Sequence, residues 1–192
     1  TDNESIFYNV DYIHEAIHCN RQISFQYYEW STSKEMKLRR NGELYIVSPL
    51  GLIWDDENYY LIAYEEDNGI RHYRVDKMKS IEIMDEFRLE ESGYREFDPA
   101  IYSNKVFGMY GGKLSTVTLA FPEHLTGVML DRFGKEVILR KDTTGCSIRT
   151  DIVISDHFFG WLAGLGKSVK IVSPDDIRQQ YKQYLSDIFK EI

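Results

Sequence analysis

Cysteine is scarce in this chain of 192 residues, which holds two cysteines and four prolines. Cys19 and Cys146 belong to no CxxC pair, so a disulfide framework and a cysteine-built zinc site are both excluded, and reduced thiols in a reducing compartment are the simpler expectation. Long apolar runs are also lacking. The longest cover a few residues, far short of the about 18 to 20 that cross a bilayer, and the opening TDNESIF lacks the charged-then-apolar order of a signal peptide. A cytoplasmic location with no membrane partner is therefore expected. Positive charge is in deficit, with 23 Lys and Arg against 31 Asp and Glu for a net charge of −8. That balance argues against indiscriminate phosphate binding over the whole surface and leaves room for a local basic patch. No internal repeat and no low-complexity tract is found.

What is present is a globular composition. Apolar residues make up 43%, aromatics 14% and charged residues 28%, enough to fill packed cores and to exclude a disordered chain. The length fits one large domain or, better, two small ones. Residues 9 to 19 put Val10, Ile13 and Ile17 on one helical face, with Asn9 or Asp11 available as N-cap, and predict a short amphipathic helix. Six strand-like runs follow: Ile23 to Trp30, Leu44 to Ser48, Leu50 to Trp54, Tyr59 to Tyr64, Ile70 to Val75 and Ser80 to Met84. They are punctuated by the bend at Pro49-Leu50-Gly51, the polar turn Asp55 to Asn58 and the hairpin dipeptide Asn68-Gly69. Short strands at this spacing suggest a small barrel.

Residues 85 to 114 begin charge-rich and end among glycines, which predicts a linker with one helical turn. Beyond it come a strand at 116 to 121, a helix at 122 to 133, strands at 137 to 140 and 147 to 154, a helix at 156 to 165 and a strand at 168 to 172. That βαββαβ order is the ferredoxin-like one. A last helix is marked by Ser173 as N-cap, Pro174 at the first position, and Asp175 and Asp176 near the positive end of its dipole. The expected fold class is α+β. A leading helix and linker occupy 1–22, a small β-barrel 23–84, a linker 85–114 and a ferredoxin-like unit with an added helix 115–192.

Four motifs bear on chemistry. HEAIH at 14 to 18 fits the zincin pattern, in which two His one helical turn apart chelate zinc and Glu15 acts as general base, but a third protein ligand is needed and none follows on a helix. GMYGGK at 108 to 113 departs from a phosphate loop at Phe107 and Leu114, so its glycines are expected to serve a turn. His72, His124 and His157 have no nearby Ser or Cys at triad spacing, and no catalytic residue is nominated. The run IRHYRVDKMK at 70 to 79 gathers Arg71, Arg74, Lys77 and Lys79 in an otherwise acidic region. In a strand Arg71 and Tyr73 share one face and His72 and Arg74 the other, so at least one guanidinium should emerge beside aromatic side chains, a setting that suits phosphates and stacked bases. The plainer alternative is a set of salt-bridged positions balancing Glu65, Glu66 and Asp67. A second basic group, Lys34, Lys37, Arg39 and Arg40, sits in the loop after the first strand.

At residues 45 to 78, YIVSPLGLIWDDENYYLIAYEEDNGIRHYRVDKM, the order Pro-Leu-Gly-Leu, acidic turn, aromatic-Tyr-Leu, then Arg-x-aromatic-Arg-x-Asp-basic resembles the WYL domain of bacterial transcription regulators. The name-giving triplet falls on Tyr59, Tyr60 and Leu61, with Tyr in place of the usual Trp, and Lys77 and Met78 stand where Arg and Ile are common. The likeness extends to ISFQYY at 23 to 28 and to FFGWLAGLGKSVKIVSP at 158 to 174, which is similar to the C-terminal extension often found after WYL domains. The resemblance implies an Sm-like, SH3-type barrel that binds a nucleotide or single-stranded nucleic acid effector, and an α/β extension that forms a homodimer. It also implies a helix-turn-helix head that binds promoter DNA, expected outside this chain, which begins at Thr1 with one helix. Carried over position by position, the ligand patch falls on Arg71 and Arg74, with Tyr27 and Tyr60 as aromatic neighbours and Lys77 beside them without an arginine's bidentate fork. No cofactor, no metal and no bond-making step is implied. Two alternatives stand beside this: a dimerisation module that binds no ligand, and a zinc hydrolase built on HEAIH.

Overall fold

The apolar stripe that predicts the first helix continues one turn upstream to Ile6, and helix α1 is accordingly longer than expected, Asp2–His18. The computed structural model describes residues 2–192; residue 1, which opens the expected leading segment, lies outside them. The chain divides into two units, residues up to 102 and residues 103–192.

In the first unit α1 leads into β1 (Arg21–Trp30), β2 (Met36–Leu38), β3 (Tyr45–Asp55), β4 (Asn58–Glu65), β5 (Gly69–Arg74) and β6 (Met78–Phe87). The ladders are antiparallel and run β5-β4-β3-β1, with β6 on the other edge of β1 and β2 extending the pairing at Tyr28 to Trp30. The sheet curls into a half-barrel around Phe25, Tyr27, Tyr45, Val47, Leu61 and Tyr73; among the described residues no ladder joins β5 to β6. Helix α1 closes the core with Ile13 and Ala16, both fully buried. Its Asn9 amide donates to the carbonyls of Val75 (3.2 Å) and Met78 (3.1 Å), holding the turn between β5 and β6.

Two strands expected on either side of Pro49 are one. Strand β3 passes through the proline with a register shift between Pro49 and Gly51, and that bulge is how a ladder accommodates a residue with no N–H. Strand β2 was not expected, since its three residues lie in a polar, basic loop and form only by pairing with the end of β1. Arg88, in the charge-rich stretch expected to be a linker, is a structural hub: its guanidinium donates to Asn20 Oδ1 (2.9 Å) and to the carbonyls of Pro49 (3.0 Å) and Ile17 (3.2 Å). Helix α2 (Pro99–Lys105) spans the division between the units, and Asp98 caps it by accepting from Ala100 N–H at 2.8 Å.

The second unit runs β7 (Lys113–Phe121), a 3-10 turn, α3 (Thr126–Phe133), β8 (Ile138–Asp142), β9 (Gly145–Ile154), α4 (Asp156–Gly164), β10 (Lys170–Ser173) and α5 (Asp175–Lys190). Its antiparallel sheet has the order β10-β7-β9-β8. Val117, Leu119, Phe121, Ile148 and Ile152 from the sheet meet Met129, Phe133, Phe158 and Leu162 from α3 and α4 in one core. Ser173 ends β10 instead of capping the last helix, whose N-cap is Pro174; a serine still paired in the ladder with Thr118 cannot also turn to cap.

Candidate functional site

Strand β5 pairs with β4 without a register break, Tyr60 opposite Arg74, Leu61 opposite Tyr73, Ile62 opposite His72 and Ala63 opposite Arg71. Side chains alternate along a strand, so Arg71 and Arg74, three residues apart, stand on opposite faces of the sheet. The structure therefore does not gather them into one patch.

The concave face carries Arg71. Beneath it lies a cluster of four rings, Phe25, Tyr27, Tyr45 and Tyr73, each within 6.3 Å of every other, centroid to centroid, with Phe25 stacked on Tyr45 at 5.4 Å. The Tyr27 hydroxyl accepts from the Arg74 backbone N–H at 2.9 Å, and burial pushes its pKa up to about 12. Tyr27 thus fastens β5 to β1 from inside. The Tyr73 hydroxyl donates to Glu65 at 3.3 Å, and burial, followed by the Glu65 charge, raises its pKa well above the usual tyrosine value. Glu65 also holds Arg40 at 3.1 Å, whose guanidinium lies 4.3 Å over the Tyr45 ring. Arg71, a diagonal neighbour of Glu65 at roughly 7 to 8 Å between backbones, is exposed; it touches Asn68 Oδ1 at 3.4 Å and no carboxylate among the described residues.

The other face carries Arg74, whose guanidinium grips Asp76 in a fork, Nε to Oδ1 at 3.0 Å and Nη2 to Oδ2 at 2.8 Å. Tyr60 stands opposite it, half-buried, its pKa raised by burial. His72 meets the Tyr102 hydroxyl at 2.8 Å, and burial pushes Tyr102 up to about 12. Lys77 lies in the 3-10 turn Val75–Lys77 and makes no ion pair among the described residues. Of the loop cations, Arg39 pairs with Glu29 at 2.9 Å and Arg40 with Glu65. The Arg40, Glu65 and Tyr45 grouping was not legible, because residues 25 and 20 positions apart meet only when β3, β4 and the loop fold together.

His14, Glu15 and His18 are exposed on α1, and no group of three or more metal-binding side chains occurs among the described residues. Gly108 has a positive φ of 58°, and a Cβ there would also lie 2.9 Å from His157 Nδ1, whose ring stacks on Tyr110 at 3.7 Å. No helix among the described residues is long and apolar enough to cross a membrane.

The WYL domain family matches residues 9–83 and the WCX domain family residues 114–189. No curated protein matches the chain. Among solved structures it is similar to proteasome accessory factor B/C (PafBC) of Arthrobacter aurescens, with 21% identity and a TM-score of 0.39 over 91% of this chain and 25% of that one. It is also similar to a CRISPR Cas-related protein, with 14% identity and a TM-score of 0.48 over 97% of this chain and 52% of that one. The chain thus spans about a quarter of the first and about half of the second.

Proposed function

This chain carries a WYL domain at residues 9–83 and a WCX domain at residues 114–189, and from that premise we propose that it is the effector-sensing and dimerisation part of a transcription regulator. The first unit serves as an Sm-like barrel that binds a nucleotide or short single-stranded nucleic acid at the rim of its concave face. One observation carries this most: Arg71 is an exposed guanidinium with no carboxylate partner among the described residues, set on the face that bears Tyr45 and Tyr73. An Arg fork can take two phosphate oxygens at once. Arg40 adds a second cation, and a phosphate arriving there competes with Glu65 for it. Tyr27 supports this floor from below, whereas Arg74 and Tyr60 lie on the opposite face, where Arg74 must leave Asp76 before it can hold a ligand, and Lys77 lies in the turn after β5. No bond is made or broken. Binding shifts the regulator only as far as the effector prefers one of two states, and promoter DNA would be read by a domain beyond this chain.

The second unit, which we read as a ferredoxin-like βαββαβ fold on the support of its sheet order β10-β7-β9-β8, would form the homodimer. Leu185, Ile188 and Phe189 of α5 are exposed, which favours a self-association role for that helix. Titrating a labelled dinucleotide against the wild type and Arg71→Ala by fluorescence polarisation tests the sensing role. Affinity should fall at least tenfold in the variant while the melting temperature holds. Equal affinity, or no binding by the wild type, overturns it and leaves a dimerisation module.

A further inference from the structure

The deficit of positive charge is not shared evenly. Residues 1–102 hold eleven Lys and Arg against twenty-one Asp and Glu, whereas residues 103–192 hold twelve against ten. Within the second unit several cations are already paired: Lys105 with Asp151, Lys141 with Glu123, Arg178 with Asp175 and Lys190 with Asp187. Arg140, Arg149, Lys167 and Lys170 have no ion pair among the described residues, and all four line one face.

That face is the side of the sheet turned away from its core. Leu119, Ile148 and Ile171 are buried on the core side. Their neighbours in sequence form a row across all four strands, Lys170 opposite Ala120, Ala120 opposite Ser147, and Ser147 opposite Arg140. One step along, Thr118 faces Arg149 and Arg149 faces Ile138. With strands about 4.8 Å apart, the outer cations of the row are rooted about 14 Å from each other, and only small side chains stand between them. The result is a trough with basic edges and a low floor. It contains two depressions that share Thr118 and Ser147, one of about 230 Å³ beside Arg140 and Arg149 and one of about 720 Å³ beside Lys167 and Lys170. Of the carboxylates on this face, Asp151 pairs with Lys105 and accepts from Thr116 at 2.7 Å, whereas Asp142, at the edge of the larger depression, accepts from the Thr144 N–H and hydroxyl at 2.7 and 2.6 Å and keeps its charge.

We propose that this face of the second unit binds the sugar-phosphate backbone of single-stranded nucleic acid. Four unpaired cations spread over two joined depressions need an extended polyanion, because a single phosphate could occupy only one of them. Arginine, lysine and hydroxyl side chains are the usual donors to phosphate oxygens, and Thr118 and Ser147 supply hydroxyls on the floor. The one ring lining the trough, Phe121, is buried, so no platform for base stacking is offered. Binding is therefore indifferent to base identity and even to the presence of bases. This is a different surface from the barrel rim, and it stands or falls without Arg71.

The test uses the full chain, a labelled twelve-nucleotide oligo-dT and an abasic strand of the same length, titrated by fluorescence polarisation between 50 and 200 mM salt. The two strands should bind alike. Arg149→Gln with Lys170→Gln should weaken both at least tenfold at the lower salt and flatten the log-log salt slope by about 1.4, at about 0.7 per lost contact on a single strand. Arg149→Lys with Lys170→Arg should keep most of the affinity. Circular dichroism and melting of the Gln variant guard against misfolding. No binding of the abasic strand, or equal binding by the Gln variant, overturns the proposal. So does a Gln variant that changes only the sedimentation coefficient, which would make the trough a contact between two copies.

Discussion

Tyr27 illustrates how one side chain changes role once its surroundings are known. Expected as an aromatic neighbour of a ligand, it has its ring locked between Phe25, Tyr45 and Tyr73 and its hydroxyl spent on the Arg74 N–H. Removing that acceptor leaves a buried N–H unsatisfied, so Tyr27→Phe should cost about 1 to 2 kcal/mol in denaturant unfolding. Its titration gives a second signature. The folded pKa of about 12 lies above the ordinary value of 10.0 because the buried site disfavours phenolate. The neutral hydroxyl's contribution is therefore complete below pH 10 and is lost as pH rises toward 12, where the unfolded chain has already released its proton. Melting temperature should fall over that window in the wild type and fall less steeply in Tyr27→Phe. Parallel declines would show that Tyr27 is not the group responsible.

At the scale of elements, helix α1 is tied to the half-barrel by more than its apolar stripe. The Asn9 amide bridges two carbonyls at the turn between β5 and β6, the place where the sheet's ladders stop. Asn9→Ala removes both bonds from half-buried acceptors and should lower stability by about 1 to 2 kcal/mol. Hydrogen exchange should report faster opening of residues 75 to 80 ahead of the rest of the sheet. Uniform acceleration over the first unit would mean instead that α1 holds the core as a whole. The same element logic separates Arg71 from Arg74: an unbroken β5 ladder enforces alternation, and alternation sends the two guanidinium groups to different faces.

For the whole molecule, the two units have cores with no residue in common, one around Phe25 and one around Phe158, and both of these rings are fully buried. Truncating either leaves a large cavity, so Phe25→Ala and Phe158→Ala should each destabilise by about 3 to 5 kcal/mol. Hydrogen exchange should show Phe25→Ala stripping protection from β1, β3 and β4 while β7 and β9 keep theirs, with the reverse pattern for Phe158→Ala. Loss of protection in both units from either change would show that they unfold as one. Charge is divided as the cores are, with the acidic excess in the first unit and a slight basic excess in the second.

Legible in the sequence alone were the mixed α and β composition, most strands and helices, and the WYL resemblance, because period-2 and period-3.6 patterns, turn dipeptides and a spaced motif are written in neighbouring residues. Element ends were less legible, as at α1, β3 and Ser173, where a ladder or a packed stripe overrides local preference. The chemistry of the candidate site was the least legible part. Strand alternation already implied that Arg71 and Arg74 diverge, but only the folded chain shows that Asp76 occupies Arg74, that Glu65 joins Arg40 to Tyr73, and that Arg88 is a structural clasp. The trough was invisible for the same reason. Arg140, Arg149, Lys167 and Lys170 come from three strands and a loop, and their common face exists only once the β10-β7-β9-β8 order sets them side by side. Propensity and periodicity are local, so a sequence can announce its elements; ion pairing and shared surfaces depend on contacts between distant positions, which only the tertiary structure decides.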